Sequence, residues 1–372
     1  MSNGSLSDAD RILRSDESAP PPRSDTKQNV EDTSEKETDR RGGGHGGALR
    51  WGAVAIVLIG VVLFGLSLWW SLQPPKFDVT ANMQTLIGED AEHVPGAATV
   101  SSAIKVADTL LHKPGGYLRN DLMPPAIFMD NMPSWEYGLL TELRDSVRAL
   151  RNDFSRSQTQ SIENEDLKNA DSKFNFDAES WILPSAEEEY KEGLAALDRY
   201  LQELVSGNPR ARFYARADNL RAYLMVVEKR LGSYGQRLSA SVGDDELIAA
   251  LGAEVGEGAQ PLNADGSQGV RRTDWTQIDN VFFEARGYSW ALLHMMKALA
   301  VDFAPVLRQK NAEVSMQQII RDLEYATMFK RSPVVLNGHG FGMLANHSLV
   351  LASYMSRANA AVLDLRVLME RG

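Results

Sequence analysis

From Trp51 to Leu72 the chain runs for 22 residues without a charged side chain, using Val, Ile, Leu, Phe, Gly and Ala with only two serines, Ser67 and Ser71. As an α-helix this run is about 33 Å long, enough to cross a hydrocarbon core of about 30 Å. Trp51 at one end and Trp69-Trp70 at the other fall where interfacial aromatics belong, and Pro74-Pro75 stops the helix. A cleaved signal peptide is a poor fit, because the run is too long, begins too far into the chain and is followed by no small-x-small site. The sequence predicts a retained transmembrane helix over residues 50–73 that meets the lipid bilayer through residues 51–72.

The flanks predict its orientation. Lys36, Arg40, Arg41 and Arg50 precede the run, whereas residues 73–92 hold only Lys76. The positive-inside rule then puts the N-terminus in the cytoplasm and the bulk of the chain across the membrane, in the periplasm of a Gram-negative host. Residues 1–49 are rich in Ser, Asp, Glu, Arg, Pro and Gly and nearly free of large apolar side chains, so they cannot offset their ordering entropy and read as a disordered cytoplasmic tail.

Residues 77–372 carry apolar side chains in alternating steps of three and four, the pattern of packed helices. Leu140, Leu143, Val147, Leu150 and Phe154 form one set, with Ser134 as the expected N-cap. Tyr190, Leu194, Leu197, Leu201 and Leu204 form another, opened by a capping box of Ser185 and Glu188. The longest is Phe213, Ala217, Leu220, Leu224, Val227, Leu231, Tyr234 and Leu238. Ser206-Gly207-Asn208-Pro209 before it reads as a helix stop and restart, so an antiparallel hairpin is expected across 185–241. Leu344, Ser348, Leu351, Met355, Ala358, Val362, Leu365 and Met369 repeat the pattern at the C-terminus.

Further helices are expected at about 275–310, broken near Pro305, and at 313–329. Tyr288 to Leu307 is apolar enough to suggest a second span, but His294, Lys297 and Asp302 interrupt it, which fits a buried core helix. Residues 155–182 and 256–273 lack the periodicity and read as loops. With no sustained two-residue alternation, the fold class is all-α: an N-terminal transmembrane helix followed by an antiparallel bundle of long heptad-patterned helices, with a possible division into two sub-bundles near 243–273.

Charge and composition exclude several functions. The chain has no cysteine, hence no disulfide, thiolate metal site or cysteine nucleophile. Its net charge of −11 is carried mostly by the region after the apolar run, and an acidic surface is the wrong sign for nucleic acid. No metalloprotease, serine-hydrolase or EF-hand motif is present, and nothing implies a cofactor or a metal.

One local anomaly remains. Asn337-Gly338-His339-Gly340-Phe341-Gly342 follows the β-favouring Val334-Val335-Leu336 and precedes a helix, the order in which phosphate-binding loops are built. It lacks the Gly-Lys-Ser/Thr and dinucleotide signatures, so a tight turn is the plainer reading. The candidate polar or ligand site is Asn337, His339 and His347. The other distinctive non-helical piece runs from Gly115 to Glu136, with Phe128, Met129 and Trp135 placed to cap the end of a bundle; a peptide- or lipid-binding groove there is the alternative reading.

Residues Gly115 to Ser157, with Arg212 to Leu220 and Arg237 to Ser241, resemble an uncharacterised proteobacterial family of single-pass inner-membrane proteins, catalogued as a domain of unknown function. The resemblance implies a Gram-negative inner membrane and supplies no catalytic or binding residue. Two functional readings follow. In the first the chain is an interaction or scaffold module that binds an envelope protein partner, with homo-oligomerisation through the heptads compatible. In the second it is an envelope enzyme or small-ligand binder using the 337–342 loop. The missing catalytic set favours the first.

Overall fold

A computed structural model describes residues 45–88, 94–157, 162–242, 273–330, 332, 334–338 and 343–371. Two compact units divide the chain, Met1–Ile56 and Val57–Gly372. Of the expected tail, residues 1–44 lie outside the described residues, and 45–49 already belong to the first helix, α1, His45–Trp70. Leu49–Trp70 is the one helix among the described residues long and apolar enough to cross a membrane.

The second unit is all-α, with no strand among the described residues. Its helices are α2 (Val79–Ile87), α3 (Ala97–His112), α4 (Asn131–Ala149), α5 (Glu165–Phe174), α6 (Ala186–Val205), α7 (Ala217–Val242), α8 (Ile278–Asp302), α9 (Ala304–Gln309), α10 (Glu313–Ala326) and α11 (His347–Glu370). The heptad positions become the core: Leu220, Leu224, Val227, Leu231 and Leu238 of α7, and Leu351, Met355, Ala358, Val362 and Leu365 of α11, are all buried. These two faces pack on each other, so the heptads are used within the chain. Of the expected division between two sub-bundles near 243–273, residues 243–272 lie outside the described residues; the apolar core is continuous between the helices on either side.

Several boundaries differ from expectation for identifiable reasons. Helix α4 begins at Asn131 after Asp130, not at Ser134, because Pro133 sits in the first turn, where no intrahelical N–H is needed. After α6 the Gly207 turn forms as expected, but α7 waits until Ala217. In between, Tyr214 N–H donates to Phe154 O (2.7 Å) and Tyr200 donates its hydroxyl proton to Arg212 O (2.7 Å), so tertiary bonds hold that stretch out of a helix while Phe213 still reaches the core. Nor do the two helices form the expected hairpin: α6 packs on α3 and α5, and α7 on α11. The loop expected over 155–182 contains α5, capped by Asn164. The break near Pro305 is found, with Phe303 between α8 and α9.

Helix α8 is the centre of the unit and is buried nearly all round. It crosses α4 in the same direction at two glycines: a Cβ on Gly138 would lie 1.9 Å from Glu284 O, and one on Gly287 1.8 Å from Trp135 O. Helix α7 runs opposite to both, through Arg230–Asp145 (2.7 Å) and Arg237–Glu284 (2.6 Å). Helix α11 runs opposite to α7, through Arg221–Glu370 and Arg366–Glu228, and α10 opposite to α11, through Asp322–Arg357 and the stacked rings of Tyr325 and Tyr354. At the far end of α8, Asp302 accepts from Gly96 N–H (2.9 Å), Thr99 N–H (2.7 Å) and the Thr99 hydroxyl (2.6 Å), capping α3.

The chain leaving α1 is pinned to α8. Gln73 meets Arg286, and Phe77 N–H donates to His294 Nε2 (3.1 Å), two turns farther along the helix. That segment therefore climbs α8 away from its N-terminus. It follows that α1 departs from the end of the bundle formed by the N-termini of α4, α6, α8 and α11 and the C-termini of α3, α5, α7 and α10.

Candidate functional site

The 334–348 segment shows what Asn337 and His347 do locally. Asn337 and Asn346 pair as an isolated antiparallel bridge, with Gly338 N–H on Ala345 O (3.1 Å) and His347 N–H on Leu336 O (2.7 Å). Asn337 Oδ1 accepts from Ser348 N–H (3.2 Å), and Asn346 Oδ1 caps α11 by accepting from Leu349 N–H (2.9 Å). His347 Nδ1 accepts from Leu336 N–H (2.9 Å), which leaves the ring proton on Nε2. His339 lies outside the described residues.

The two described candidates line different cavities. Asn337 borders one of about 530 Å³ with Asp130, Trp275 and Asp279, where burial and then Asp130 raise the Asp279 carboxyl from its ordinary value. His347 borders one of about 330 Å³ whose cationic groups are Arg286 and Lys330, whose neutral polar groups include Ser332 and Asn346, and whose walls include Phe282, Tyr325, Phe329 and Tyr354.

Arg286 dominates this second cavity. It is 6% exposed, and its guanidinium donates only to neutral oxygens: Ala326 O (3.1 Å), Met328 O (2.8 Å) and Gln73 Oε1 (2.9 Å). No carboxylate among the described residues pairs with it. Burial, unopposed by any acid, brings its pKa down to about 10, so at neutral pH it keeps a charge the protein does not neutralise. Burial and Arg286 also lower the Lys330 ammonium, whose hydrogen bonds go to Ser332 O (2.5 Å) and Val334 O (3.1 Å). Burial first, then Lys330 and Arg286, lowers His347, so its imidazole is neutral. The nearest acids on α10 are already engaged, Asp322 with Arg357 (2.6 Å) and Glu324 with Lys297 (2.7 Å).

A third cavity of about 350 Å³, lined by Gln73, Pro74, Pro75, Lys76, Trp135 and Trp290, shares Arg286, Met328 and Phe329 with the His347 cavity. The guanidinium thus stands between two hollows at the place where the chain leaves α1. Two fixed cationic side chains, a neutral imidazole and aromatic walls suit an anionic group with an apolar appendage.

A polar cluster of the opposite sign is closed to solvent. Glu142 accepts from Ser146 Oγ (2.5 Å) and Tyr223 Oη (2.6 Å), and burial raises its carboxyl to about 7. Its second oxygen and the hydroxyl of Tyr288 have no hydrogen-bond partner.

Sequence reasoning missed Arg286 and Lys330. A signal was present: around Arg286, positions 282, 283, 289 and 290 are Phe, Phe, Ser and Trp, so an arginine on an apolar helix has no acid one turn away in either direction.

Fold and cavity together define a class: an all-α bundle joined to a helix able to cross a membrane. The chain belongs to the family described as an uncharacterized protein conserved in bacteria (DUF2333), which matches residues 45–372. Comparison with curated proteins and with solved structures gives no match.

Proposed function

We propose that the chain is a single-pass anchored protein of the bacterial inner membrane, with its N-terminus in the cytoplasm and its helical unit in the periplasm, and that it works by binding. The ligand is an anionic group bearing an apolar portion, held with its charge at Arg286 and Lys330 and its apolar part along Phe282, Tyr325 and Tyr354. The single observation that carries this is the buried Arg286 charge without a carboxylate beside an open cavity. Bacterial membership and the Lys/Arg bias around α1 support the location. A scaffold role toward an envelope protein retains the acidic surface as support but loses the heptads, which are buried against one another.

The test is equilibrium binding of dodecyl phosphate to the full-length protein in maltoside micelles, with dodecyltrimethylammonium as the cationic control. Saturable binding of the phosphate alone is expected. Arg286→Gln should weaken it about tenfold or more, the loss of one charge-assisted hydrogen bond. Val350→Trp, which fills the cavity from an exposed wall position, should weaken it without touching Arg286. Equal binding by both variants and the wild type would refute the reading.

A further inference from the structure

The loops at the end of the bundle from which α1 departs expose large apolar side chains, one loop after another. Phe128 projects from the loop before α4, Leu183 from that before α6, Trp275 from that before α8, Phe329 from that after α10 and Met343 from that before α11. Each is more than four-fifths exposed. Of the residues of the Gly115–Glu136 segment expected to cap the bundle, Trp135 is fully buried and Met129 packs against the core, while Phe128 points out.

These loops are neighbours in space. Trp70, the last residue of α1, packs where a Cβ on Gly115 would lie 2.8 Å from its ring. Asn120, five residues on, donates to Ser180 O (2.8 Å) and joins the 181–183 loop. Asp130, Trp275 and Val334 line one cavity, and Phe329 lines another with Gln73.

The opposite end is built differently. At its described tips the large, exposed apolar side chains are fewer, Ile162 in a loop, Val301 in the last turn of α8 and Val314 in the first turn of α10, and exposed charged residues such as Arg210, Arg212, Arg216, Arg308, Asp218 and Glu313 lie among them. Apolar surface of this extent concentrated on one end marks a contact.

We propose that this end of the bundle rests in the interfacial layer of the bilayer that α1 crosses, with Phe128, Leu183, Trp275, Phe329 and Met343 inserted among the lipids. The occupant is lipid because the span ends within this surface: Trp70 touches its first loop, and Arg286 holds Gln73. Phe and Trp belong at that depth. The inference rests on α1 spanning the membrane, and it places the Arg286 cavity at headgroup level.

The chain has no cysteine, so single cysteines can be introduced and spin-labelled without background. Phe128→Cys, Trp275→Cys and Phe329→Cys sample the apolar end, Val314→Cys the opposite end, and Val61→Cys the middle of α1; all five sites are exposed, which spares the core. The full-length protein is placed in nanodiscs of phosphatidylethanolamine and phosphatidylglycerol. Relaxation by oxygen, which concentrates in lipid, is compared with relaxation by a neutral nickel chelate, which stays in water. The expected result is an oxygen-to-nickel ratio at positions 128, 275 and 329 several-fold above that at 314 and approaching that at 61.

Ratios like that at 314, with 61 in lipid, would overturn the proposal and leave the anchor standing. A water-exposed 61 would remove the anchor and the proposal with it. Apolar-end labels sheltered from both reagents and broadened by one another would mean a second copy covers this end, which also overturns it.

Discussion

The junction of α3 with α4 and the stretch of α8 around Arg286 each bury a cation, and the two regions handle it in opposite ways. Lys113 lies in an ion pair with Glu136, the two side chains 1% and 0% exposed, and Glu136 also accepts from the N–H groups of Leu118 (3.0 Å) and Arg119 (2.9 Å). Charge and lone pairs are satisfied inside the fold. Arg286 has the hydrogen bonds but not the opposite charge. A fully paired site leaves nothing for a ligand to contribute, whereas a site held by carbonyl dipoles alone gains from an anion brought from outside.

The largest expected effect breaks the paired region. Lys113→Met strands Glu136 in the core and should cost about 3–5 kcal/mol in denaturant unfolding of the detergent-solubilised protein. The mirror case is Glu142, an acid buried without a cation. Its pKa of about 7 in the folded state lies above the ordinary 4.5, so the folded state binds the extra proton and stability falls as pH rises across that window. Glu142→Gln removes this fall. Relative to wild type, the variant should gain with rising pH, by up to about 3 kcal/mol above pH 7, read as a difference in unfolding midpoint against pH.

Arg286→Met should cost less, about 1–3 kcal/mol, because lost hydrogen bonds to Ala326, Met328 and Gln73 are partly offset by removal of an uncompensated charge. A loss equal to that of Lys113→Met would mean the two cations serve the same structural purpose, and the contrast would fail. Smallest of all, Lys330→Met should change stability by about 0.5 kcal/mol or less while weakening dodecyl phosphate binding. A large loss of stability with binding intact would assign Lys330 to the fold.

Much of the fold could be read from periodicity, because a seam such as Leu220-Leu224-Val227-Leu231 has one way to be buried. The capping box at Ser185 and the break at Pro305 were equally local and equally readable. Partner choice was not, since heptads in α6 and α7 show that each helix needs a neighbour but not which one. Gly138 and Gly287 were opaque for a related reason: an isolated glycine in a helix looks like a weakness until a second backbone is found against it. In the candidate site, Asn337 and His347 attracted notice through local composition. Arg286 matters through what is missing around it in space, which a linear pattern does not display.

The cap that Asp302 places on α3 joins residues two hundred positions apart. Helix α8 is also the surface on which α3 and α4 are buried and to which the segment leaving α1 is pinned. During synthesis, therefore, the first half of the helical unit is made long before the strut that organises it exists. The faces that α3 and α4 turn toward α8 must wait uncovered, or under the care of a chaperone, until about 300 residues have been made. A chain halted before α8 would keep the contacts of α3, α5 and α6 with one another but would leave the α8-facing sides of α3 and α4 bare.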